Sequence, residues 1–165
     1  MPEQMNEQRG RVEGIFLADA HGTQPRAIAI AVAHASRGLE GDRHFDDGDA
    51  CDISLIEAEA IENMRAEHGI DLPPGDARRQ LVVRGVNLAD FIGRRFQVGE
   101  VECEGEERCE PCNHLAGLVQ TPVVLRGLLH SGLRASIIRG GTIRTGDTVQ
   151  LAAVVFGGSS QPNNG

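Results

Sequence analysis

The residues best suited to chemistry lie together in Arg108-Cys109-Glu110-Pro111-Cys112-Asn113-His114-Leu115. Two of the four cysteines are here in C-x-x-C spacing, and His114 follows. Three chemistries fit these residue types. A thiolate can act alone as nucleophile or soft metal ligand. Two thiols at this spacing can form a redox pair, with Cys109 resolving Cys112. Cys103, Cys109, Cys112 and His114 can also be counted as a zinc set, because C-x-x-C is a common half-site. No second C-x-x-C or spaced histidine pair completes that set, and Cys103 falls in a stretch with strand character. A thioredoxin-type pair needs a βαβ scaffold, which the pattern lacks.

For Cys112 the local electrostatics compete. Pro111 before it and helical composition after it favour a thiolate near a helix N-terminus. Glu106, Glu107 and Glu110 oppose the thiolate, and Arg108 partly offsets them. A buried, inert cysteine is the alternative. A second candidate is Gly41-Asp42-Arg43-His44, a glycine-flanked loop that can offer backbone N–H groups, Arg43 and His44 to an anion, with Asp42 orienting His44. A solvated, charge-rich loop is the plainer reading. The nearby Asp46, Asp47, Asp49 and Asp52 lack EF-hand spacing. Arg79 and Arg84 flank a predicted strand. Arg139-Gly140-Gly141 reads first as a tight turn and second as a close approach to a ligand.

Composition excludes other chemistries. All 16 basic residues are arginine, so a covalent pyridoxal phosphate Schiff base and a Walker A lysine are both out. Tyrosine and tryptophan are absent as well. The net charge of −8 argues against nonspecific nucleic-acid binding. No apolar run is long enough for a membrane span, and the first residues lack a signal-peptide pattern. The expectation is a cytoplasmic protein with no nucleic-acid or membrane partner, whose cysteines are reduced.

The elements that must position these groups are mostly strands. Strand signals cover 12–19, 26–34, 51–56, 80–83, 95–98, 101–104, 135–138 and 148–155. One helix is predicted over 57–67, with Ser54-x-x-Glu57 as its capping box and Gly69 as its stop. Residues 88–92 suggest one helical turn, 113–129 helix in pieces, and 140–147 turns. The fold class is mainly β (α+β), a barrel-like fold with a few short helices. Residues 1–10 are expected to be a disordered N-terminus, 11–156 a single domain and 157–165 a disordered tail.

Several separated segments also resemble one family. They are residues 79–88 (Arg-Gln-Leu-Val-Val-Arg-Gly-Val-Asn-Leu), 92–99, Glu110 to Leu115, and 132–135 with 140–149. Gly38 to His44 and Ile53 to Ile56 add to them. In this order they are similar to a stand-alone MOSC domain, the module named after the C-terminal part of molybdenum-cofactor sulfurase. The resemblance implies a β-barrel-like fold, molybdenum-cofactor (molybdopterin) binding and one functional cysteine, Cys112. That cysteine would be either a persulfide sulfur carrier for metal-sulfur cluster or cofactor maturation, or a molybdenum ligand in the reduction of N-hydroxylated compounds. The cofactor pocket would draw on Arg43, His44, Arg79, Asn87, His114 and Arg139. Partners would be a cysteine desulfurase-type sulfur donor or an external reductase. One departure stands out: Gln80 occupies a position where the family pattern has asparagine. From a different class, a noncatalytic zinc- or thiol-containing interaction domain is the competing reading.

Overall fold

The computed structural model describes residues 9–18, 25–43, 45–46, 52–69, 79–108 and 132–152. The candidate residues Cys109, Cys112, His114 and His44, and the predicted helix over 113–129, lie outside them.

Eleven strands and one α-helix make up the described chain. They are β1 (Arg9–Leu17), β2 (Arg26–Ile28), β3 (Ile30–His34), β4 (Gly38–Leu39), β5 (Ile53–Glu57), α1 (Ala58–His68), β6 (Leu81–Arg84), β7 (Arg95–Val98), β8 (Val101–Arg108), β9 (Gly132–Arg139), β10 (Gly141–Arg144) and β11 (Thr148–Leu151). A 3-10 turn over Leu88–Phe91 follows β6. β1 starts at Arg9, inside the stretch expected to be a disordered terminus, because Arg9 to Arg11 pair with Gln150 to Thr148 of β11.

That pairing closes the sheet. The order β11-β7-β8-β9-β5-β6-β1 returns from β1 to β11, giving a seven-stranded barrel with β2 attached to β1. Closure removes the unpaired edges that an open sheet would expose. The pairs are antiparallel except β5–β6, which α1 connects in parallel. Alternation along the strands sends Val12, Ile15, Leu55, Leu81, Val83, Phe96, Val98, Val101, Cys103, Leu133, Ala135 and Val149 inward. Phe91 and Phe96 pack with ring centroids 4.9 Å apart. Each fully buried aliphatic or aromatic side chain contributes about 1.5–3 kcal/mol through removal from water.

β3, β4 and β10 form a separate sheet in the order β10-β3-β4. Its inner residues Ala31, Ala33, Leu39 and Ile143 join the barrel core, while Ile30 and Val32 face outward. The expected single strand over 26–34 is therefore two, divided at Ala29, whose carbonyl accepts from Thr145 N–H at 2.9 Å. The expected turns over 140–147 are also corrected. Gly141 to Arg144 pair with Ala33 to Ile30, and the turn is confined to residues after β10. Gly140 is explained by this packing: a Cβ there would sit 2.4 Å from the Ala33 carbonyl oxygen.

Helix α1 ends where expected, with Gly69 in the left-handed region at φ 68°. Its start differs from expectation. Ser54 lies in β5, and Glu57 takes the N-cap position with no side-chain capping bond. No helix among the described residues is long and apolar enough to cross a membrane.

Candidate functional site

A largely buried polar assembly joins the 41–43 loop to the start of β6. Asp42 and Gln80 are both buried. The Asp42 carboxylate accepts from Ala18 N–H at 3.0 Å through Oδ1 and from Gln80 Nε2 at 2.9 Å through Oδ2. Gln80 Oε1 accepts from Ser54 N–H at 2.9 Å, and Ser54 Oγ accepts from Gln80 N–H at 3.1 Å. One carboxamide thus bridges β5 to the loop. Arg43 N–H adds a bond to the Ala18 carbonyl at 2.8 Å, and Phe16 N–H bonds the Gln80 carbonyl at 2.8 Å. Buried polar groups held this way cost little, because each finds a partner.

Sequence neighbours of this knot are two of the candidate residues. Arg43 follows Asp42, and Arg79 precedes Gln80 and is itself buried. The structure therefore brings the backbone of Arg43 and that of Arg79 to one corner, where β1 ends and β6 begins. The Asp42 carboxylate accepts from both Ala18 and Gln80, and its expected role of orienting His44 lies outside the described residues. Sequence reasoning names Asp42 only as an auxiliary and Gln80 only as a departure from a pattern. The signal that could have raised both is the pairing of a polar residue before an otherwise apolar strand with an acid in a distant glycine loop.

The outer end of the loop has its own anchors. Arg37 pairs with Asp46 through two bonds of 2.8 and 2.7 Å and stacks on Phe45 with its guanidinium 4.7 Å from the ring centroid. The Arg37 guanidinium in turn holds the Asp46 carboxyl below the usual carboxylate range. Asp52 joins the loop to the barrel by accepting from Ile137 N–H at 2.8 Å, and burial raises its pKa.

The other described candidates stand apart. Asn87 is at the other end of β6, where its side chain accepts from Ala89 N–H at 3.2 Å and caps the 3-10 turn. Arg139 is exposed at the end of β9, with Glu102 as its ion-pair partner at 3.7 Å. Arg84 lies outside the barrel between Glu13 (2.7 Å) and Glu62, and its charge is spent on them. The cavity beside this cluster, about 130 Å³ between α1 and β1, is floored by Phe16, Ile61 and Val82.

Cys103 is fully buried in the barrel, and burial pushes its thiol up to about 12. A thiol facing the core cannot join a zinc set built from the 109–114 segment. No cluster of three or more potential metal ligands occurs among the described residues.

Strand register relates the knot to the cysteine segment. Ser54, bonded to Gln80, pairs with Arg134, and Arg134 pairs with Glu107. In the adjacent row Leu81, Leu55, Leu133 and Arg108 are successive partners. Arg108, the last residue of β8, thus lies three strands from Leu81, about 14 Å around the wall at roughly 4.8 Å per strand.

Comparison with known proteins matches this architecture. Among solved structures, the YuaD protein from Bacillus subtilis is similar at TM-score 0.71 and 17% identity, covering 88% of this chain and 97% of that one. YiiM from Geobacillus stearothermophilus is similar at TM-score 0.69 and 15% identity, over 87% and 75% of the two chains. YiiM from Escherichia coli gives 0.62 and 16%, over 88% and 71%. These identities speak to the fold alone. No curated protein matches the sequence significantly. The MOSC domain profile matches residues 41–150, which runs from the glycine loop through the barrel to β11, and the chain therefore belongs to the MOSC domain family.

Proposed function

We propose that this chain binds the molybdenum cofactor at the Arg43–Arg79 corner and carries sulfur as a persulfide on Cys112 for metal-sulfur cluster or cofactor maturation. The observation that carries this reading is the Asp42–Gln80 bond, which brings two arginine-bearing segments together in a protein of net charge −8. Arginine suits a phosphate because its planar fork gives bidentate, charge-assisted bonds. The residues present fit a phosphate-bearing group: a glycine loop with Gly41 at φ 87°, Arg43 beside it and the buried Arg79. When bound, the cofactor supplies a metal that accepts sulfur. Cys112 follows Arg108 by four positions, which an extended chain spans in at most about 14 Å. That reach is comparable to the arc from Arg108 to Leu81.

Sulfur transfer balances without an external oxidant. The Cys112 thiolate attacks the terminal sulfur of a donor cysteine persulfide, of the kind a cysteine desulfurase carries. A new S–S bond forms at Cys112, the donor S–S bond breaks, and the donor leaves as thiolate. Cys103 cannot substitute, because its thiol is buried and protonated at neutral pH.

The test is protein produced with both molybdate and zinc supplied, assayed for metals and for cyanide-releasable sulfur. Sulfur lost in Cys112→Ser but kept in Cys109→Ser supports the carrier. Stoichiometric zinc that survives Cys112→Ser and disappears with Cys109→Ser would sink it in favour of an interaction domain. Molybdenum-dependent reduction of a hydroxylamine-type substrate, with electrons from an added reductase, would replace the carrier role with the reductase role.

A further inference from the structure

Gln80 has no charge and no nucleophile and is buried, yet it makes three of the polar contacts that define the corner. Its amide nitrogen faces a carboxylate, and its amide oxygen faces a backbone N–H. That polarity is fixed by the partners: Asp42 can only accept while ionised, and the Ser54 N–H can only donate. Gln80 also has the length for the bridge. Its backbone is already held to Ser54 Oγ and Phe16 N–H, so the side chain alone must span from β5 to the loop. Asparagine, one methylene shorter on the same backbone, could not hold both Ser54 N–H and Asp42 Oδ2 at these distances without moving one of them.

We propose that Gln80 is a positioning residue for anion binding, a latch that holds the Gly41-Asp42-Arg43 turn in register with Arg79 so that the two arginine segments together receive a phosphate group. The inference rests on the cofactor reading for the identity of the ligand but not for the geometry. Two independent features support it. The Gln80–Asp42 bond at the centre of the latch is buried, and the two bonds to Ser54 are part-buried. The loop is anchored separately at its outer end by Arg37–Asp46, so releasing the inner end tilts the turn at Arg43 without unfolding the loop.

Gln80→Glu gives a test with a signature beyond simple damage. At low pH the protonated carboxyl that this substitution introduces can donate to Asp42 Oδ2 while its other oxygen accepts from Ser54 N–H, so the latch is kept. At higher pH two carboxylates would face each other at the 2.9 Å now separating Gln80 from Asp42, and the latch must open.

The probe is inorganic phosphate, titrated calorimetrically into wild type, Gln80→Glu and Gln80→Leu at pH 5.0 and 7.5. The ratio of wild-type to variant affinity is read at each pH, which cancels the titration of phosphate itself. Gln80→Glu is expected to bind within about threefold of wild type at pH 5.0 and at least about tenfold more weakly at pH 7.5. Gln80→Leu is expected to be weak at both pH values; where it fails to fold, the pH ratio of Gln80→Glu decides alone. Variants that bind as wild type does at both pH values, or a wild type that binds no phosphate, overturn the latch. Cyanide-releasable sulfur measured on the same preparations separates the two ideas. Sulfur retained with no pH-dependent ratio removes the latch and leaves the carrier, whereas the ratio without sulfur on Cys112 does the reverse.

Discussion

Cys103 lies directly opposite Phe96 in the β7–β8 pair, with both side chains fully buried inside the barrel. This pairing places Cys103 in the core of the barrel. The thiol lies in the hydrophobic core, and the charges that act on it, Asp52 and Glu102, are both negative. Burial is the main cause of its raised pKa, and those charges add to it.

Cys103 should therefore be unreactive in the native protein. With a thiol pKa of about 12, only about one molecule in ten thousand is thiolate at pH 8, even before access is considered. Alkylation with iodoacetamide followed by peptide mapping should leave Cys103 unmodified until denaturant is added. Labelling of Cys103 in the folded protein at the rate of a model thiol would contradict its placement. Cys103→Ala should cost about 1–2 kcal/mol in denaturant unfolding, from a small cavity beside Phe96.

Much of the barrel is legible in the sequence, and the failures share one cause. The β7–β8 hairpin is readable because Gly99, at φ 59°, marks its turn between two apolar-alternating runs. Helix α1 is readable from its periodicity and from Gly69. The features that escape are those set by distant partners. Gly140-Gly141 reads locally as a turn, but Gly140 is required by the Ala33 carbonyl more than a hundred residues earlier. Ser54-x-x-Glu57 reads as a capping box, but the Ser54 hydroxyl serves Gln80 instead. Closure through β1–β11 pairs the two ends of the domain and has no local signal. At the site, the arginines at 43 and 79 stand out by type, whereas their proximity depends on a bond between residues 42 and 80. The resemblance singles out Asn87 for the pocket, and its side chain caps the 3-10 turn.

The Arg84 cluster should give the protein an acid-sensitive component of stability. Glu13 has its pKa lowered, first by the hydrogen bond from Arg84 and further by Arg84 and Arg11 charge, against a smaller opposing effect of burial. A lowered carboxyl pKa contributes stability that is present above its unfolded value, near 4.5, and is lost as pH falls through the folded value. Arg84→Gln should cost about 1 kcal/mol at pH 7, since the cluster is partly exposed. The deficit should shrink below about pH 4. Urea unfolding at pH 3.5 and 7 checks this, and a deficit that is constant with pH would remove the Glu13 pairing as its cause.

Glu57 should act with the opposite sign. Its pKa is raised by burial, opposed by its bond from Leu88 N–H at 2.8 Å and increased further by Glu59 and Asp90. The folded state then binds the proton more tightly than the unfolded chain. Its favourable contribution is complete below the unfolded pKa, near 4.5, and is lost as pH rises through the folded value. Glu57→Gln keeps an oxygen acceptor for Leu88 without the charge. The stability difference between variant and wild type should therefore move in favour of the variant as pH is raised from about 4 to 7. A difference that stays flat across that range would show that Glu57 titrates normally.

Gly105 should tolerate no side chain. It sits in β8 where Ile92 forms a bridge to it, accepting from Gly93 N–H at 2.8 Å and donating to the Arg94 carbonyl at 3.0 Å. A Cβ at this position would stand 2.2 Å from the Phe91 carbonyl oxygen, a backbone atom that cannot rotate away. The backbone must then separate, which breaks the bridge and pulls Phe91 from its contact with Phe96. Overpacking of this kind, with two backbone bonds at risk, should cost Gly105→Ala about 3 kcal/mol or more. Gly93→Ala is the control in the same turn. Its φ of 76° is strained for a side chain, yet no atom stands within 4 Å of the added carbon, so about 1 kcal/mol is expected. Denaturant midpoints for the two variants should differ in that order, and equal losses would mean that backbone strain, not the Phe91 contact, is what glycine relieves at 105.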